Sequence, residues 1–162
     1  MKTTTIETKV EINASKDKIW EILADFGNVQ NLSPGIAKSY LQTGLGASRH
    51  CDFTAMGAQV EEKIIEWEEG NFMKIELFDG KNLPMMRGMK ASFKLKSTTN
   101  GTLITSVFEY HMNNMVGDLL NGLKMKQVNK KTWVLFLAGI KHYAETGENV
   151  SKETKLDLSG VE

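Results

Sequence analysis

The sequence predicts an α+β domain in which a curved, seven-stranded antiparallel sheet wraps around one long C-terminal helix. Three observations carry that prediction. From Ile36 to Met112 the hydrophobic period is two, broken only by short turn signals, as in consecutive antiparallel strands. Ahead of this stretch, one alternating segment leads straight into a helical one. Behind it lies the only large amphipathic pattern in the chain, and an apolar sheet face must be covered by something.

The first strand is expected over Thr4–Asn13, with Ile6, Val10 and Ile12 on one parity and Thr8 between them. Ser15 is a good N-cap, and Asp17 sits in the first turn, where the helix dipole favours an anion. Ile19, Ile22, Leu23 and Phe26 then recur at helical spacing, so a helix is expected over Lys16–Ala24, ended by Gly27. A second short helix is expected over Val29–Leu32, stopped before Pro34.

Six strands follow, at 36–42, 48–55, 60–67, 72–78, 88–97 and 102–112. Turns fall at Gly44–Gly46, at Met56-Gly57, at Glu69-Gly70 and at Asn100-Gly101, and 79–84 reads as a loop. A two-residue turn at Met56-Gly57 would set Cys51 opposite Glu62 and Phe53 opposite Val60. A two-residue turn at Asn100-Gly101 would set Phe93 opposite Phe108, Ala91 opposite Tyr110 and Leu95 opposite Ser106.

The last element is expected from about Val116 to Glu145, roughly 45 Å at the standard rise. Leu119, Leu120 and Leu123 form a first apolar patch. Val128, Trp133, Phe136, Leu137, Ile140 and Tyr143 form a second. Gly117, Gly122 and the lysines at 124, 126, 130 and 131 predict a frayed start, firm from about Lys126, with Gly147 ending the helix. Residues 1–146 read as one domain and 147–162 as a polar, mobile tail.

Composition narrows the function. Twenty basic residues balance 20 acidic ones, so there is no basic excess to bind nucleic acid. One cysteine excludes an internal disulfide, and three separated histidines have no metal-ligand spacing; no metal and no cofactor is expected. The longest apolar run, Trp133–Ile140, is far too short for a membrane span, so no integral membrane association is expected. The N-terminus is polar and alternating rather than signal-like, and a cytoplasmic protein is the expectation. Homodimerisation is left open.

The element order, with particular residues at its joints, resembles the Bet v 1/START-like (SRPBCC) superfamily. Within it, the chain resembles the polyketide cyclase/dehydrase-like proteins. The matching stretches are Ala14-Ser-Lys-Asp-Lys-Ile-Trp20, Asp25-Phe-Gly-Asn28, Ser33-Pro-Gly35, Gly44-Leu-Gly-Ala-Ser-Arg49, Val60-Glu-Glu-Lys-Ile64, Leu83-Pro84 and Asn100-Gly-Thr102. The resemblance implies a helix-grip fold with a cavity for a small hydrophobic molecule between sheet and helix. It also implies three kinds of activity: ligand binding, cyclase or dehydratase chemistry, and co-chaperone-like interaction. The chain departs from the pattern in having no aromatic before Pro34, and Gly88-Met89 where relatives often carry a tyrosine.

Three polar or reactive side chains share the apolar parity of their strands: Arg49, Cys51 and Glu62. An inward carboxylate costs several kcal/mol, of order 3–5, unless paired. Arg49, Tyr110 or water is therefore expected beside Glu62. The functional reading makes Glu62 the polar anchor of the ligand; the bland reading is a structural ion pair, about equally favoured. For Cys51 a structural role outweighs a nucleophilic one, because His50 points to the opposite face. The apolar walls of a cavity of about 300–1,000 Å³ are expected from Phe53, Val60, Ile64, Met73, Ile75, Met89, Phe108 and Tyr110, together with the long helix. Of the nine methionines, Met73, Met89 and Met112, with Met85, Met86 and Met125, are expected to line or gate it, against the plainer reading of core filling. An enzyme would need two or more convergent ionisable groups, and the pattern offers Glu62 with Arg49 and Tyr110 as weaker partners.

Overall fold

The structure is a computed structural model and describes residues 2–42, 48–54, 57–83 and 86–162. The turn at Gly44–Gly46, Met56, Pro84, Met85 and the side chain of Leu123 lie outside the described residues. The chain runs β1 (Thr3–Ile12), α1 (Lys16–Ala24), a 3-10 helix (Phe26–Asn31), then β2 (Ile36–Gln42) and β3 (Ser48–Phe53). It continues through β4 (Gln59–Glu68), β5 (Phe72–Lys81), β6 (Met86–Ser97) and β7 (Thr102–Met112). One helix closes the chain, as α2 (Met115–Leu120), a π-helical stretch (Asn121–Met125) and α3 (Lys126–Thr146).

The strands form a seven-stranded sheet in the order β1-β7-β6-β5-β4-β3-β2, with antiparallel pairing throughout. Alternation places one face inward: in β7 every second residue from Thr102 to Met112 is buried. The ladder slips between Ile64 and Glu66 and between Arg87 and Lys90, and such bulges bend strands. α3 lies against the inner face. Phe136 meets the Phe93 ring at 5.9 Å, Trp133 meets Phe108 at 5.1 Å, and Leu137, Ile140 and Ala144 are fully buried. Gly139 lets the helix pass the Leu32 carbonyl, which would lie 2.0 Å from any Cβ there.

α1 begins as expected, with Ser15 Oγ accepting from the Lys18 N–H at 3.3 Å. Gly27 does not end it. The Asp25 N–H closes the helix onto the Glu21 carbonyl, and the chain passes at once into the 3-10 helix. The expected helix at Val29–Leu32 therefore starts earlier, and Gly27 lies inside it, where a Cβ would meet Leu41 Cγ at 3.0 Å. The expected loop after Phe78 is strand as far as Lys81, carried through a left-handed Asp79 (φ 48°).

Both expected hairpin registers differ from the observed ones by two residues. Arg49, not Cys51, faces Glu62, and Cys51 faces Val60. Ala91 faces Phe108, Phe93 faces Ser106 and Leu95 faces Ile104. At the second hairpin the cause is tertiary. Gly101 (φ 149°) presses on the Ile12 carbonyl, 2.1 Å from a would-be Cβ, and Thr102 Oγ1 donates to the Ala14 carbonyl at 2.9 Å. Contact with the β1–α1 corner thus selects a longer loop, closed by Thr98 N–H donating to the Gly101 carbonyl at 2.9 Å.

The stretch expected to be a frayed start is helical from Met115. Asn114 Oδ1 accepts from the Gly117 N–H at 2.8 Å, Gly117 is buried, and the helix runs without a break through the π-helical stretch. Regular α-helix resumes at Lys126, and Gly147 ends it in the left-handed region at φ 77°. The C-terminal tail is not detached. Val150 is buried, with its N–H on the Asn31 carbonyl, and Lys9 and Glu162 exchange backbone hydrogen bonds of 2.9 Å along the free edge of β1. Backbone pairing holds this segment, so it needed no periodic face.

Candidate functional site

β3, β4, β5, β6 and β7 form the floor of a cavity of about 270 Å³. The 3-10 helix and its following loop form one wall, and α3 forms the roof through Asn129, Thr132, Trp133 and Phe136. The volume falls just below the expected range. Leu77, Leu83, Met86 and Met89 separate it from an adjoining surface hollow of about 490 Å³.

The lining is apolar except at a few points, of which one is charged. Neighbouring strands place Arg49 and Glu62 side by side on the inner face, 6% and 5% exposed. Arg49 Nε donates to Glu62 Oε2 at 2.6 Å, and Nη2 reaches the same oxygen. Nη1 donates to the Phe26 carbonyl at 2.8 Å, and the guanidinium lies over the Phe26 ring, 3.9 Å from its centre. Every nitrogen of the guanidinium thus has an acceptor, as burial of this group demands. Glu62 uses only Oε2 for this contact; Oε1 has no protein hydrogen bond among the described residues.

Of the expected site residues, Arg49, Phe53, Val60, Glu62, Ile75, Met89 and Phe108 line the cavity together. Four do not. Cys51 is fully buried in the core, and burial, with the Glu62 charge, pushes its thiol up to about 12. Such a thiol stays protonated and is structural. Tyr110 is fully buried beside Phe108, and Ile64 is half-buried next to the β4 bulge. Met73 sits beyond Phe93 and Phe136, on a separate crevice of about 10 Å³. Met112 likewise fills core, and Met125 is half-buried away from the cavity, whereas Met86 lines it.

The long helix was expected to line the cavity, and it does so through Trp133 and Phe136, together with Asn129 and Thr132, which were not singled out. The spacing of Asn129, Thr132, Trp133 and Phe136 on one helical face was visible in the chain. The roles of Val29 and of the Phe26 carbonyl depend on how the 3-10 helix folds against β3 and carry no sequence signal.

A second polar cluster lies on the outer face of the same strands. His50 Nδ1 is 2.5 Å from Glu61 Oε1, its Nε2 is 3.1 Å from Asp52 Oδ1, and its ring stacks on Tyr40 at 5.1 Å. Hydrogen bonding to Glu61, then to Asp52, raises the His50 pKa above its usual 6.5.

A bulged antiparallel sheet gripping a C-terminal helix over an apolar cavity defines the helix-grip, Bet v 1-like fold. The family model for polyketide cyclase / dehydrase and lipid transport matches residues 3–145, and the chain belongs to that family. Among solved structures, Ara h 8.0201 superposes with a TM-score of 0.71 at 16% identity, covering 90% of this chain and 99% of its own. Major latex-like protein 151 from Panax ginseng gives 0.69 at 15%, covering 91% and 99%. The protein XoxI from Bacillus cereus gives 0.65 at 13%, covering 90% and 97%. At these identities the likeness is one of fold. No curated protein matches the chain in sequence.

Proposed function

We propose that the protein binds a small hydrophobic molecule carrying a hydrogen-bond donor, held between sheet and α3 with its donor on Glu62 Oε1. The observation that carries this reading is the half-used carboxylate: a buried ion pair at the wall of an apolar cavity, with one oxygen that none of the described residues engages. An ionised carboxylate only accepts, so the complementary group is a hydroxyl or N–H rather than a carbonyl. Met86 and Met89, at the boundary with the adjoining hollow, can repack around guests of differing shape. The family description, which spans cyclase, dehydrase and lipid transport, is consistent with a hydrophobic guest. Binding is favoured over cyclase or dehydratase chemistry because Arg49 and Glu62 neutralise each other and Tyr110 does not line the cavity.

Phenylnaphthylamine, two aromatic groups bridged by one N–H, tests the reading directly. Saturable one-to-one binding with energy transfer from tryptophan, reduced in Trp133→Leu, is the expected result. Absence of saturable binding would overturn it.

A further inference from the structure

Residues 115–131 invert the usual order of an amphipathic helix. α2 turns Gly117 inward, where an added Cβ would sit 3.2 Å from Met112 Cβ. It turns outward Met115, Val116, Leu119 and Leu120, which are 86%, 64%, 65% and 44% exposed. Folding rewards the opposite arrangement, with apolar side chains inside and small ones where nothing needs covering. Asn114, hydrogen-bonded to the Gly117 N–H, holds the helix in this orientation. Val128 extends the exposed apolar set into α3.

The charge around this face is one-sided. Lys124, Lys126, Lys130 and Lys131 are all exposed, and Asp118 is the only acid from 115 to 131, in a chain whose net charge is zero. We propose that this face docks on an anionic lipid bilayer, the apolar side chains entering the interface and the lysines resting on the headgroups. Exposed apolar residues beside lysines are the composition of interfacial helices. Protein–protein interface cores, by contrast, are depleted in lysine. The placement gives docking a consequence. Met112, against which α2 is anchored, pairs with Met86 in the ladder, and Asn129 Nδ2 contacts Met86 Sδ at 3.3 Å. Met86 and Asn129 both line the cavity, so a docked α2 brings that end of the cavity to the membrane. Docking depends on the exposed face alone, whether or not the cavity is occupied.

The test is co-sedimentation of the full chain with vesicles of phosphatidylcholine alone and of phosphatidylcholine mixed with phosphatidylglycerol. Binding should be confined to the mixed vesicles and weaken with added salt. Lys126→Gln with Lys130→Gln should lower the partition coefficient by about 30-fold, at about tenfold per 1.4 kcal/mol and about 1 kcal/mol per lysine. Leu119→Ser should lower it by about tenfold or more. Both sites are exposed, and unchanged thermal melts would show that the fold survives. No binding to the mixed vesicles, or binding indifferent to Leu119→Ser, would overturn the proposal. So would a native dimer in light scattering that Leu119→Ser dissolves, which would make this face a contact between two copies.

Discussion

The two faces of β3 and β4 carry similar chemistry under opposite conditions. On the inner face, Arg49 meets Glu62 in a buried pair at a cavity wall. One residue along, on the outer face, His50 meets Glu61 and Asp52 where water reaches the carboxylates. The outer cluster is screened and tolerant, whereas the inner pair must find its partners within the protein and its cavity. An ion pair is therefore worth little outside and becomes a structural commitment inside. The inner pair is also the one that can present a fixed charge to a guest.

The sharpest way to break this comparison is to remove one cation from each face. Arg49→Met strands a buried carboxylate and is expected to cost about 3–5 kcal/mol in denaturant unfolding. His50→Gln, measured the same way at neutral pH, is expected to cost under about 1 kcal/mol. Equal losses would show that the inner face is as wet as the outer. The thiol beside the pair gives a second contrast. With its pKa near 12 against 9.0 for a free thiol, Cys51 should react with a thiol reagent on the order of a thousandfold more slowly in the native chain than in urea. Ready labelling of the folded protein would mean that the inner face opens.

A smaller effect is expected when both members of the inner pair go together. Arg49→Met with Glu62→Leu should recover stability to within about 1 kcal/mol of the native chain or exceed it, while phenylnaphthylamine binding stays weakened. Failure to recover would mean that the Phe26 carbonyl contact of Arg49 matters more than its pairing with Glu62.

The smallest effect concerns pH. The folded state raises the His50 pKa, so it prefers the protonated ring. That contribution is fully present below about 6.5, the unfolded value, and is lost as pH rises through the raised folded value. The Tm advantage of the native chain over His50→Gln should therefore shrink from acid to alkaline pH. A constant or growing advantage would contradict the outer-face assignment of a charged His50.

Strand faces were legible in the sequence because burial imposes a period of two, and this alone put Arg49 and Glu62 inside. Register was not, since a slip of two preserves parity. Cys51 was therefore expected opposite Glu62, where the structure puts Arg49, and the Asn100-Gly101 turn hid a longer loop set by its contact with Ile12. Nor does parity separate cavity wall from core: Cys51 and Tyr110 face inward as read, but both are fully buried in the core. The exposed apolar face of α2 escaped because its residues look like core until Gly117 is seen to take the inward place.

The central claim, that Glu62 offers a free oxygen to a guest, is tested most directly by comparing naphthol with its methyl ether. Both are followed through the protein's tryptophan fluorescence, in the native chain and in Glu62→Gln. The native chain should prefer naphthol, and the neutral amide should reduce that preference by about fivefold or more, the difference between a charge-assisted and an ordinary hydrogen bond. Equal binding of the two probes by the native chain, or a preference for naphthol that Glu62→Gln leaves intact, would contradict it.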